Sequence, residues 1–172
     1  MKINKVNIHA FRLFGDESVD FSAKKDSRKI ANFVALYAPN GFGKTSFFDS
    51  MEFCMTGKIH RLEDKLSENA SEDKTHSGKK SFIHNKDLPG ERVFVKMEFD
   101  DRNPIERTCN PNEEYQILQG VRENAFFTNA ILSQDFFSEF ISNKDAKSRF
   151  EIFTKRFKET EGLSLIHISE PT

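Results

Sequence analysis

ALYAPNGFGKTSFFDS, residues 35–50, sets two glycines, a lysine and a threonine between an apolar run and an amphipathic one. Inside it, residues 38–45 (APNGFGKT) have the spacing of a phosphate-binding loop: a small residue, four intervening positions, then Gly-Lys-Thr. Each residue type has a physical use there. Gly41 and Gly43 let the backbone curl so that successive N–H groups point inward at an anion. Lys44 is long enough to reach the β- and γ-phosphates of a nucleotide, and the Thr45 hydroxyl is a hard oxygen donor suited to Mg²⁺. The positive end of a helix beginning here adds its partial charge to the same anion. Asn40, Gly41, Phe42, Gly43, Lys44, Thr45 and Ser46 are therefore the candidate nucleotide-binding residues, with ATP and Mg²⁺ as the expected ligands. A glycine-rich turn without a ligand would show the same letters, so the flanks decide.

Both flanks fit the loop. Residues 29–37 (KIANFVALY) form a nearly continuous apolar run of strand length, as expected for a parallel strand buried on both faces. After the loop, Phe47, Phe48, Met51, Cys54 and Met55 recur at three- and four-residue spacing and Gly57 supplies a stop, which predicts a helix. Toward the amino terminus, Ile3, Val6 and Ile8 precede, and Val19 and Phe21 follow, a turn placed at Gly15; this predicts an antiparallel edge hairpin. Residues 93–99 (VFVKMEF) alternate as a half-buried strand, with residues 105–109 placed to pair with it. Residues 130–157 hold the short apolar run AILSQ, then FFSEF, then a helix from about Asp145 with Phe150, Phe153 and Phe157 on one face. Residues 58–92 are a variable charged excursion, and within them residues 60–80, charged and Ser-rich, read most simply as a solvated segment, with a surface for a partner as the alternative. The sum is an α/β chain: a mixed sheet with an antiparallel edge hairpin and flanking helices.

At 172 residues the chain is long enough for one domain with a sizeable core, and 26 Lys plus Arg against 27 Asp plus Glu give no overall basic field. A local basic face can hide inside a neutral total, so net charge decides nothing about nucleic acid. Cys54 and Cys109 have no metal-ligand spacing and are expected to be free thiols in a reducing cytoplasm. There is no signal-peptide core at the amino terminus and no apolar run of about 18 residues, so a soluble cytoplasmic protein without a membrane partner is expected. The final ten residues, 163–172 (LSLIHISEPT), resemble the translated end of a transposase adapter used in preparing sequencing libraries. On that reading they are a non-native tail, residues 1–162 are the authentic portion, and the natural protein continues beyond about Gly162.

Three blocks appear in a telling order: NIHAFRLFG at residues 7–15, YAPNGFGKTSFFDSMEFCMTG at 37–57 and ILSQDFFSEFISNKDAKSRFEIF at 131–153. Together they resemble the amino-terminal lobe of SMC-like and SbcC-like AAA ATPases, an ABC-type P-loop group. The resemblance implies a P-loop NTPase half-domain: in that family the two ends of one chain, separated by a long antiparallel coiled coil, assemble one ATPase head. Two heads then sandwich two ATP molecules and act on DNA or with DNA-processing partners. It therefore implies four partners or substrates: the carboxy-terminal lobe of the same full-length chain, a second head in a homodimer, and DNA or a nuclease partner. DNA repair or chromosome processing is the implied function. By the same resemblance Arg12, in FRLF, matches the family arginine near the nucleotide phosphates, with a hairpin surface charge as the alternative. Gln134, in LSQD, matches the glutamine that contacts Mg²⁺ and the water attacking the γ-phosphate, which makes it the catalytic and second metal-contacting candidate. Arg61 is a further candidate for a phosphate or a cross-dimer contact, against the simpler alternative of a solvated charge. Phe42 stands where SMC proteins commonly have a small residue, which places the chain nearer the SbcC-like branch.

Hydrolysis in such a family also needs an apolar strand ending in Asp-Glu and a Ser-Gly-rich signature loop, and the chain has neither. The nearest imitation, VKMEFDD at residues 95–101, alternates Lys96 and Glu98 with apolar positions, as a half-exposed strand does. Alone, the chain is expected to bind nucleotide weakly and hydrolyse almost none. Alternatives are the ATPase subunit of an anti-phage defence nuclease, a transporter-type ATP cassette and a small-molecule kinase. The FRLF hairpin and the block around Gln134 oppose the cassette, and a kinase would need a lid with arginines.

Overall fold

Strand β1, Ile3–Phe11, is the middle of the first of two units into which the chain divides, Met1–Glu123 and Asn124–Thr172. The computed structural model describes residues 1–23, 26–62, 82–111, 130–132, 140–142 and 145–158. Alternation along β1 sends Val6, Ile8 and Ala10 into the core. β1 pairs antiparallel with β2 (Phe14–Asp20) on one side and β5 (Val93–Phe99) on the other, and β6 (Ile105–Cys109) completes the order β2-β1-β5-β6. Strands β5 and β6 fall where the alternation predicts. Val93, Val95, Met97 and Phe99 are buried, while Lys96 lies on the opposite face within 3.5 Å of Glu98 and 3.4 Å of Glu106.

The predicted helix forms as α1, Lys44–Thr56, and its Phe47, Phe53, Cys54 and Met55 are buried. Phe53 meets Phe11 of β1 with ring centroids 6.1 Å apart, and the Cys54 thiol faces the carbonyls of Val95 and Ile105 at 3.5 and 3.4 Å. Gly57 ends the helix in the left-handed region, φ 80°, with its N–H donating to the Phe53 carbonyl at 2.8 Å. From β6, Arg107 Nε donates to the Cys54 carbonyl at 2.7 Å, so a cation sits at the negative end of the helix.

Two expectations are corrected. The hairpin turns at Arg12 and Leu13, with Phe11 opposite Phe14, and Gly15 lies within β2. Instead of a glycine, two ordinary residues flank the end of β1 at positive φ, Ala10 at 51° and Arg12 at 52°. The segment returning from the charged excursion holds them there: Arg12 N–H donates to Ile83 at 2.7 Å, Asn85 N–H to Ala10 at 2.9 Å, and Phe11 bridges to His84. The described ends of the 58–92 region pack into the core, with Ile59, Leu62, Ile83, His84 and Asn85 buried; residues 63–81, most of the stretch read as solvated, lie outside the described residues.

The second correction concerns the run before the loop. Only its start is strand: β4 (Asp26–Ile30) pairs with β3 (Ser22–Ala23) in a small antiparallel sheet. Residues 31–39 form no strand, and Phe33 and Tyr37 are 84% and 95% exposed, with Val34 and Leu36 about half so. A parallel strand exists only beside a neighbour and beneath cover on both faces, and no described strand pairs with residues 32–39.

In the second unit, α2 (Ala146–Lys158) forms where the periodicity places it. Asp145 caps it, accepting hydrogen bonds from the Ser148 hydroxyl and N–H, both at 2.8 Å, and these bonds lower its carboxyl pKa. Phe150 of this helix is exposed; the side chains of Phe153 and Phe157 are outside the described set, as is Gln134. No helix among the described residues is long and apolar enough to cross a membrane.

Burial pushes the Cys54 thiol from 9.0 up to about 12. Above pH 9 the unfolded chain releases a proton that the folded chain keeps, so this group contributes a loss of stability as pH rises from 9 toward 12. The thermal midpoint of the wild type is therefore expected to fall more steeply across this window than that of Cys54→Ala, measured by circular dichroism.

Candidate functional site

The glycine loop leads directly into α1. Gly41 and Gly43 take φ of 89° and 87°, a region that side-chain-bearing residues enter only at a cost, so the two glycines the motif demands are used as such. Gly43 is the N-cap of α1 and offers no side-chain oxygen to the first helical amides. The first intrahelical bond runs from Phe47 N–H to the Gly43 carbonyl at 2.8 Å. Lys44 folds back over the loop: its Nζ donates to the Ala38 carbonyl at 2.6 Å and to that of Pro39 at 2.9 Å. Asn40, Phe42 and Thr45 are exposed around this cradle, whereas Ser46 is buried in the first turn of the helix. Uncapped amides, a positive helix end and an ammonium ion converge on one concave backbone, an arrangement able to receive an anion.

Behind the loop lies a carboxylate that the sequence did not single out. Asp49 is fully buried in the second turn of α1, and two arginines converge on it. Arg12, from the hairpin turn, donates through Nη1 to Oδ2 and through Nε to the Phe82 carbonyl at 3.0 Å. Arg61, from the short 3₁₀ turn His60–Leu62, grips the same carboxylate with Nε, at 2.9 Å from Oδ1, and with Nη2. Neither arginine is the surface charge of the alternative readings, since their side chains are 16% and 28% exposed. The available signal for Asp49 was its place in the helix, one turn before Phe53 on the buried side of a segment rich in phenylalanine.

The hairpin turn also touches the loop. A Cβ at Gly43 would lie 3.1 Å from Phe14 Cζ and 3.8 Å from Leu13 Cδ1, so the residues following Arg12 lie against the loop's second glycine. The structure thus gathers Arg12, Gly43, Lys44, Asp49 and Arg61 around the start of α1. Among the described residues no group of three or more His, Cys, Asp or Glu could hold a metal ion. The Thr45 hydroxyl, exposed at the first turn, fits a site in which Mg²⁺ is held chiefly by phosphate oxygens and water.

Residues 5–164 match the family model of the AAA domain, and the chain belongs to that family of AAA-type P-loop ATPases, which is found in SMC- and SbcC-like proteins. The α/β class expected from the sequence agrees with this membership. No curated protein matches the chain.

Gly43 and Gly41 separate two causes of glycine dependence. Both have positive φ, but an added Cβ meets Phe14 only at Gly43 and open space at Gly41. Gly41→Ala is expected to cost about 1 kcal/mol of stability. Gly43→Ala should cost roughly 1 kcal/mol more, because packing strain adds to the backbone term, as read from urea denaturation midpoints.

Proposed function

We propose that the chain is the ATP-binding amino-terminal lobe of an SMC/SbcC-like ATPase head that serves DNA repair or chromosome processing. One observation carries the nucleotide part: Lys44 Nζ lies on the carbonyls of Ala38 and Pro39, across a loop bent by two positive-φ glycines at an uncapped helix start. On this reading the loop amides and the first amides of α1 hold the β-phosphate, and Lys44 exchanges its carbonyl partners for β- and γ-phosphate oxygens. Thr45 would offer its hydroxyl oxygen to Mg²⁺, which when bound would supply neutralisation of phosphate charge. Arg12 supports the phosphate side of the site from the hairpin turn, and Gln134 orients the attacking water.

The exposed run at residues 33–37 supports the reading of a head completed by another segment. In our proposal the carboxy-terminal lobe of the full-length chain adds a parallel strand against it, covers Phe33, Val34, Leu36 and Tyr37, and brings the missing Asp-Glu pair and signature loop. Two such heads then face each other across ATP, working in the cytoplasm on DNA or with a nuclease partner.

Lys44→Ala in the full-length protein is expected to abolish binding of a fluorescent ATP analogue, and unchanged affinity would overturn the nucleotide reading. Gln134→Ala is expected to retain affinity while lowering steady-state turnover by about 10²-fold or more. Equal losses of both would make Gln134 a structural residue.

A further inference from the structure

We infer that Asp49 is a positioning residue of the nucleotide site, fixing the geometry of the glycine loop through Arg12; this rests on the nucleotide reading above. Asp49 makes no contact with a ligand in this role. Its carboxylate is enclosed and already engaged by two guanidinium groups, five residues beyond Lys44. What it holds is the hairpin turn. Arg12 stands at a left-handed φ of 52°, with its N–H on the Ile83 carbonyl, its Nε on that of Phe82 and its Nη1 on Asp49. Leu13 and Phe14 follow immediately and lie against Gly43, the residue that turns the loop into α1.

A continuous chain of contacts therefore runs from the Asp49 carboxylate through Arg12 and Phe14 to the peptide units that cradle the phosphate. The two ends of this chain sit on one helix, so the carboxylate clamps the hairpin turn against the start of the same helix that carries Lys44. With the carboxylate neutralised, the turn loses its charge-assisted bond and the loop is held less firmly against Phe14. Nucleotide then binds only after ordering the loop, and affinity falls even though every ligand-contacting group is intact. Arg61 spans both oxygens of the carboxylate, sharing Oδ2 with Arg12, and so fixes the orientation in which the carboxylate meets Arg12.

The test is nucleotide affinity in the full-length protein, read with a fluorescent ATP analogue beside a thermal melt. Asp49→Asn keeps the shape and removes the charge; it is expected to weaken binding about tenfold. Arg12→Ala should weaken it at least as much, and the double variant no more than Arg12→Ala, because Asp49 acts only through Arg12. A merely structural Asp49 lowers the melting temperature and leaves the affinity of the folded protein unchanged. That outcome, or additive losses in the double variant, overturns the inference. If Asp49→Asn does not fold, Asp49→Glu keeps the charge but displaces it by one methylene, and about threefold weaker binding is expected. Wild-type affinity in that variant overturns the inference. Lys44→Ala is run alongside: if it too binds normally the nucleotide reading has failed, whereas its loss with normal Asp49 variants rejects only the positioning role.

Discussion

A carboxylate removed entirely from water must be matched by charge and hydrogen bonds, and the burial of Asp49 sets the terms for much of the first unit. Its partners come from the hairpin turn before α1 and the 3₁₀ turn after it, so three separate pieces of chain have to meet at one point. Removing one member of such a buried cluster typically costs about 3–5 kcal/mol, a large part of the stability of a domain this size. That cost explains how the end of β1 tolerates Ala10 and Arg12 at positive φ. A hairpin turn built from glycine would relax this strain, but Arg12 would then be free to adopt other directions.

The same constraint couples the loop to the sheet. α1 is anchored on β1 by Phe53 against Phe11, on β5 and β6 by Cys54, and at its end by Arg107. With the helix fixed, its amino terminus is fixed, and so is the direction in which its uncapped amides point. Lys44 meanwhile donates to two loop carbonyls, which ties the loop back on itself and supports its curvature. Sheet, helix and hairpin turn therefore act as a rigid mount for a short piece of backbone whose own sequence supplies little packing.

The legible parts of the sequence were those whose cause is local. Gly41, Gly43 and Gly57 act through their own backbone angles, and all three take the positive φ that a curled loop and a helix end require. β5 and β6 were legible because one face of each is wet, which leaves alternation in the letters. Gly15 misled because a glycine is the commonest sign of a turn, whereas this turn is fixed by residues 83–85, some seventy positions away. Asp49 was missed for a related reason: in FFDSM it reads as a polar interruption, and only the folded chain brings it to arginines 37 residues earlier and 12 later. The run at 29–37 had the composition of a buried strand, yet composition cannot supply the neighbour that makes a strand.

That run also bears on how the protein is made. Phe33, Val34, Leu36 and Tyr37 face water immediately before the loop, and no proline interrupts them until Pro39. A short apolar segment of this kind with unpaired backbone is adhesive toward any other extended chain, including a second nascent copy. It leaves the ribosome well before residues 93–109, the strands that complete the sheet beside β1. Synthesis therefore opens an interval in which this apolar segment is present while the strands that anchor α1, and with it the loop, are still to be made.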